Sequence, residues 1–192
     1  MLGIITVFFS YLLGSVLFGE LIARAKGVNL REVGSGNVGA TNVSRALGKK
    51  YGVVVFLLDM LKGFIPTALA VKLFGIDSLW VVLVGLAAVL GHMFPLFFGF
   101  KGGKGVATAF GVLLAVSPKV AVFSLLVWVL VVFFTRYASL GSIVASTSAV
   151  FFLVVSDAPT SVSTMALLIV LLIVYKHKDN ISRLLSGTEH RI

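Results

Sequence analysis

Apolar residues run in blocks near 2–23, 51–71, 78–98, 106–116, 120–134, 143–156 and 161–175, with Gly, Ser, Pro and charged residues between them. Blocks separated by such breaks predict seven helices. Several are shorter than the roughly 20 residues that cross a hydrocarbon core of about 30 Å, so those helices must tilt, embed among neighbours or end below the surface.

Composition decides the solvent. Of 192 residues, 59% are hydrophobic and 12% charged, with a mean hydropathy of +1.11; a soluble domain is about 45–50% apolar. Seven acidic and sixteen basic residues cannot cover a globule of this length in water. The expected fold is an all-α integral membrane protein, one polytopic domain over residues 1–192. The opening MLGIITVFFSYLLGSVLFGE has neither the positive start nor the cleavage site of a signal peptide, so it is expected to remain as the first span. Without cysteine there is no thiolate nucleophile, disulfide or Cys-ligated metal. A net charge of +9 suits nucleic acid, but a basic membrane protein more often keeps its Lys and Arg on the cytoplasmic side, and no nucleic-acid partner is expected.

Charge also orients the chain. Seven crossings with the N-terminus outside place 13 basic residues inside, among them Arg24, Lys26, Arg31, Arg45, Lys104, Arg136 and Lys176, against Lys72 and Lys119 outside. Fusing 106–134 into one helix gives six crossings and 8 against 6. The positive-inside rule favours seven, with a cytoplasmic C-terminus. The outer loops are then short, and the chemistry belongs to the inner segments near 24–50, 99–105, 135–142 and the tail 176–192.

The first inner loop holds Gly34, Ser35, Gly36, Asn37, Val38, Gly39, Ala40, Thr41, Asn42, Val43, Ser44 and Arg45. Glycines let backbone amides converge, Ser, Asn and Thr add neutral donors, and together they suit an anion. If 41–47 is helical, Arg45 shares a face with Thr41 and Asn42 and adds a fork suited to phosphate. The alternative is a capped turn. The second loop, Gly99-Phe100-Lys101-Gly102-Gly103-Lys104-Gly105, is not a P-loop: position 98 is Phe98 and the magnesium-binding hydroxyl is replaced by Gly105. Its lysines and glycines can still meet a phosphate, or form a positive-inside hinge.

His177 and Asn180 follow the last span three residues apart and can share a helical face. His92, beside Met93, Phe94 and Pro95, reads as structural. No His-x-x-His, HExxH or carboxylate cluster occurs, so neither metal nor cofactor is expected. Asp59 and Lys62 read as a neutralising pair facing the bundle interior, with an ion path as the alternative that any intramembrane charge raises.

GSGNVGATNVSR, GHMFPLFFGFKGGKGVATAFG and HKDNISRLLSGTE, in this order and with these spans, resemble the bacterial acyl-phosphate:glycerol-3-phosphate acyltransferases, the PlsY family, over almost the whole chain. The resemblance implies transfer of a fatty acyl group from acyl phosphate, held in the membrane, to the 1-hydroxyl of cytoplasmic sn-glycerol 3-phosphate. Lysophosphatidic acid and phosphate would form in phospholipid synthesis, at the cytoplasmic face of the bacterial inner membrane. Carried over residue by residue, Ser35, Arg45 and Lys104, with Gly34, Gly102 and Gly103, would hold phosphates; Arg45, Lys104, His177 and Asn180 would orient glycerol 3-phosphate. Asn37, Thr41 and Asn42 would take the acyl phosphate head, with Ser142 adding a hydroxyl; Glu189 would be structural and pair with a loop cation. Acyl phosphate is a mixed anhydride with a good leaving group, so direct attack needs no covalent enzyme intermediate; the substrate's own phosphate, Ser35 or His177 could each accept the hydroxyl proton, and the acyl phosphate is favoured because no carboxylate base is at hand. The His-x4-Asp pair of other glycerolipid acyltransferases is absent, since Phe97 and Ser182 stand fifth after His92 and His177. No partner chain is called for, a monomer being sufficient. A small organic-phosphate transporter is the rival, weakened by polar residues at one face rather than the midplane.

Overall fold

The computed structural model describes residues 1–192 and contains helices but no strands. They are α1 (Leu2–Gly14), α2 (Phe18–Ala25), α3 (Ala40–Leu47), α4 (Lys49–Phe74), α5 (Leu79–Met93), a 3-10 turn at Leu96–Phe98, α6 (Val106–Val116), α7 (Pro118–Thr135), α8 (Ala138–Val155), α9 (Thr160–Lys176) and α10 (Lys178–Leu185). Every apolar block forms helix, two of them with a break, and the fold is that of an all-helical integral membrane protein. Five stretches are long and apolar enough to cross a bilayer, a sixth if α9 and α10, bent by 59°, count as one. At 11 residues, α6 spans only about 16 Å.

Two blocks are not continuous helices. The first breaks at Ser15–Leu17 and resumes as the amphipathic α2, whose Glu20 is buried and paired with Arg24 at 2.8 Å. The third stops at Met93 because Pro95 has no N–H and pushes Phe94 out of the helical region, to φ −133° and ψ 66°. The freed carbonyls find other donors: Tyr11 Oη donates to Phe94 O at 2.8 Å and Lys176 Nζ to Met93 O at 3.2 Å.

The bundle is turned outward relative to a water-soluble one. Along α4, Val53, Leu57, Leu61, Ile65, Leu69 and Leu73 are exposed, while Gly52, Asp59, Lys62, Gly63 and Thr67 are buried. Apolar side chains gain little from leaving lipid, so association rests on close backbone approach through small residues and on interhelical polar contacts. Helix α5 is central: 61% of the most apolar window of the Leu79–Phe98 stretch is buried, against 22–39% in the other long apolar stretches, and α5 packs on α1, α4, α6 and α9. A Cβ on Gly14 would strike Ala88 O, and one on Gly91 would lie 2.9 Å from Ser15 N. Gly63 and Gly111 play the same part between α4 and α6, against Thr108 O and Met60 O.

Candidate functional site

A cavity of about 950 Å³ runs among α3, α4 and α6–α9. One end is lined by Ser35, Asn37, Thr41, Arg45, Lys104 and His177; the rest chiefly by apolar side chains such as Phe110, Leu113, Val129, Met165 and Ile169, with Asp59 and His92 also on the wall. It thus joins a cationic, donor-rich mouth to an apolar trough, as an amphiphile with a phosphate head requires.

Helix α3 is the fixed side of the mouth. Its buried Asn42 uses both Nδ2 hydrogens on the loop before it, donating to Leu30 O at 3.1 Å and Val33 O at 2.9 Å, while its Oδ1 accepts from Ser35 N at 3.0 Å. Gly34 and Gly36, at φ 58° and 68°, make the left-handed turns that wrap the loop around that amide. Asn42 therefore shapes the loop, and its donors are already engaged. Thr41 and Arg45 lie along the cavity one turn apart, as the helical reading of 41–47 expected. Arg45 Nη2 donates to His190 O and Arg191 O, each at 3.3 Å, so the tail lies against this arginine.

The other side is built by Lys104 and α10. Lys104 Nζ donates to Asn180 Oδ1, which fixes the amide so that Asn180 Nδ2 donates to Glu189 Oε1 at 2.6 Å. Ser139 Oγ donates to the same oxygen at 2.9 Å, and Arg183 Nε donates to Glu189 Oε2 at 2.9 Å. Glu189 is thus a buttress whose cation is Arg183, with Lys104 reached through Asn180. Burial opposes its ionisation, but the Asn180, Ser139 and Arg183 donors outweigh that and hold its carboxyl below the usual range. Burial pushes Lys104 down to about 8, with Glu189 opposing and Arg183 assisting.

His177 Nδ1 lies 2.8 Å from Ile173 O, which assigns the proton to Nδ1 and leaves Nε2 an acceptor. Ser142 donates to Ala138 O at 2.8 Å and accepts from Trp128 Nε1 at 3.3 Å. Gly34, Gly102 and Gly103 are outside the lining. The last two face α5: Gly103 N donates to His92 O at 3.1 Å, and a Cβ on Gly102 would strike that carbonyl. Asp59 and Lys62 form the expected buried pair, at 2.8 Å. No group of three or more His, Cys, Asp or Glu side chains that could hold a metal ion is assembled.

Sequence reasoning missed the parts played by Ser139, Arg183 and the carbonyls of His190 and Arg191. Ser139 and Arg183 stood inside segments already singled out, but nothing local marks them as partners of Glu189. Carbonyl acceptors carry no side-chain signature at all.

Comparison with known proteins agrees with this geometry. Residues 4–187 match the sequence model of a family described as glycerol-3-phosphate acyltransferase. A glycerol-3-phosphate acyltransferase of Aquifex aeolicus (strain VF5) is 63% identical over 191 residues, 100% of both chains. One of Geobacter sulfurreducens is 48% identical over 182 residues, 95% of this chain and 93% of the relative. Two crystal structures of PlsY (YgiH), an integral membrane glycerol 3-phosphate acyltransferase, superpose over 100% of this chain and 96% of theirs. The glycerol 3-phosphate form has a TM-score of 0.99 at 62% identity, and the lysophosphatidic acid form 0.96 at 61%. On its sequence, its fold and the composition of its cavity, this chain belongs to the glycerol-3-phosphate acyltransferase family.

Proposed function

We propose that this protein transfers a fatty acyl group from acyl phosphate to the 1-hydroxyl of sn-glycerol 3-phosphate, releasing lysophosphatidic acid and inorganic phosphate. The observation that carries this reading is the single cavity that joins Arg45, Lys104 and His177 to an apolar trough. The acyl chain lies in the trough and the phosphates at the mouth. Arg45, Lys104, His177 and Asn180 orient glycerol 3-phosphate; Ser35, Asn37 and Thr41 take the acyl phosphate head, and Ser142 contributes its oxygen. Asn42 and Glu189 hold the loop and tail on which those groups stand.

The hydroxyl oxygen attacks the acyl carbonyl carbon, the bond from that carbon to the phosphate oxygen breaks, and the hydroxyl proton passes to the acyl phosphate's own phosphoryl group. No carboxylate is needed as base, and no side chain forms a covalent intermediate. Catalysis is then chiefly orientation of two anions by fixed cations and neutral donors.

The chain crosses the inner membrane seven times, N-terminus outside and C-terminus in the cytoplasm, with α6 as a short crossing embedded among its neighbours. The mouth then faces the cytoplasm, where the basic loops lie. A monomer carries the whole site.

The test is phosphate release by the purified protein in lipid from palmitoyl phosphate, with and without glycerol 3-phosphate, and with palmitoyl-CoA as control donor. Release that requires both substrates and yields lysophosphatidic acid is expected, and EDTA leaves it unchanged. Vesicle uptake of labelled glycerol phosphate without release supports the transport alternative instead.

A further inference from the structure

Asp59, Lys62 and His92 take no part in the roles above, yet each is at most 3% exposed, and Asp59 and His92 lie on the cavity wall. Lys62 Nζ lies 2.8 Å from Asp59 Oδ1 and donates to Val16 O at 2.7 Å, in the break between α1 and α2. Asp59 Oδ1 lies 3.7 Å from His92 Nδ1, which has no hydrogen-bond partner of its own. Apolar residues of similar volume would join α4 to α5 without desolvating two charges, so bare stability is a poor reason for this cluster. Ionisable groups at membrane depth point to function.

What the cluster holds is on the far side of the imidazole. Gly103 N donates to His92 O, and a Cβ on Gly103 would collide with His92 Nε2. Gly102 is pressed on the His92 carbonyl and would meet Pro95 Cδ at 2.6 Å if it carried a Cβ. The hydrogen bond and the Gly102 approach are to the His92 carbonyl, which any residue at 92 supplies; the imidazole itself is pressed against Gly103. The residue that follows is Lys104.

We propose that His92, whose imidazole lies between Asp59 and Gly103, is a positioning residue that backs Gly103 and so aims the Lys104 ammonium at the substrate phosphate. This rests on the reading above, in which Lys104 holds glycerol 3-phosphate. A lysine on a Gly-rich loop is otherwise free to swing, and misplacement by about 1 Å can cost ~100-fold.

The test is steady-state kinetics of the purified protein in lipid, with both substrates varied. His92→Ala is expected to raise KM for glycerol 3-phosphate ~10- to 100-fold, while kcat and KM for palmitoyl phosphate stay within about threefold. A histidine that only fills space would instead lower the active fraction and Tm and leave KM alone. Gly103→Ala drives a methyl into the imidazole and should reproduce the KM rise. Added to His92→Ala, where the imidazole is gone, it should raise KM no further. A folded His92→Ala protein with wild-type KM, or a double variant whose losses multiply, overturns the proposal. If His92→Ala does not fold, Gly103→Ala decides, and a wild-type KM there overturns it. Wild-type protein without acyl transfer overturns the underlying reading, and this proposal with it, and is distinguishable because no variant is needed to see it.

Discussion

Replacing Lys104 by Met keeps an unbranched stem of similar length and removes only the ammonium and its hydrogen bond to Asn180. At about 4 Å and an effective dielectric near 20, an ammonium and one unit of phosphate charge attract by about 4 kcal/mol. Arg45 shares the mouth and keeps a positive charge there, so Lys104→Met removes one of two attractions rather than all of the field. With about 1.4 kcal/mol per factor of ten, kcat/KM for glycerol 3-phosphate should fall roughly 1,000-fold. The assay is phosphate release with palmitoyl phosphate saturating, and thermal unfolding checks that the variant is folded. If Lys104 binds ground and transition states alike, the loss is in KM; if it binds the transition state better, kcat falls as well. A folded Lys104→Met protein within about tenfold of wild-type kcat/KM would refute the phosphate role, because only a solvated lysine is worth so little.

Burial leaves Lys104 protonated below about 8 and neutral above it, so kcat/KM for glycerol 3-phosphate should decline as pH rises through that point. Glu189 and Asp179 favour its charged form, and Arg183 and Arg45 oppose it; bound phosphate favours it further, so the limb in kcat should lie higher. A kcat/KM profile flat across this range contradicts the assignment. Glu189→Gln keeps one acceptor but turns an amide toward Ser139, Asn180 and Arg183, which should cost about 1–3 kcal/mol of stability. Because the carboxyl is held below its usual range, that deficit is present above the unfolded carboxyl pKa and shrinks as pH falls through the folded one; denaturation midpoints at neutral and acid pH decide it. Gly111→Val places side-chain carbon against Met60 O and Phe64 N, and overpacking of this kind costs about 1–3 kcal/mol. A Tm lowered by less than the roughly 2–4 °C expected per kcal/mol would show that α4 and α6 can separate freely.

The helical blocks were legible in the sequence because a bilayer core leaves the backbone no hydrogen-bond partner except itself, so each span must announce itself in composition. The break in the third block was written in Pro95, which an apolar window averages away; the break at Ser15–Leu17 carries no breaker, only the onset of the amphipathic α2. The residue types at the mouth were legible too, since anion binding needs cations and neutral donors whatever the fold. Their directions were not. Asn42 and Asn37 look alike in the loop, yet Asn42 is engaged by Leu30, Val33 and Ser35, and that choice depends on how the preceding loop closes over α3. Gly102 and Gly103 look like phosphate-cradling glycines, and close packing against His92 is what turns them toward α5. Glu189 shows the same limit from the other side. Its pairing with a cation follows from charge alone, but Ser139 converges on it from α8 and Asn180 and Arg183 from α10. The tail therefore ties α8 to α10 and, through His190 and Arg191, to Arg45. A change in the tail must move both sides of the mouth together, and no window of sequence shorter than the fold itself contains that coupling.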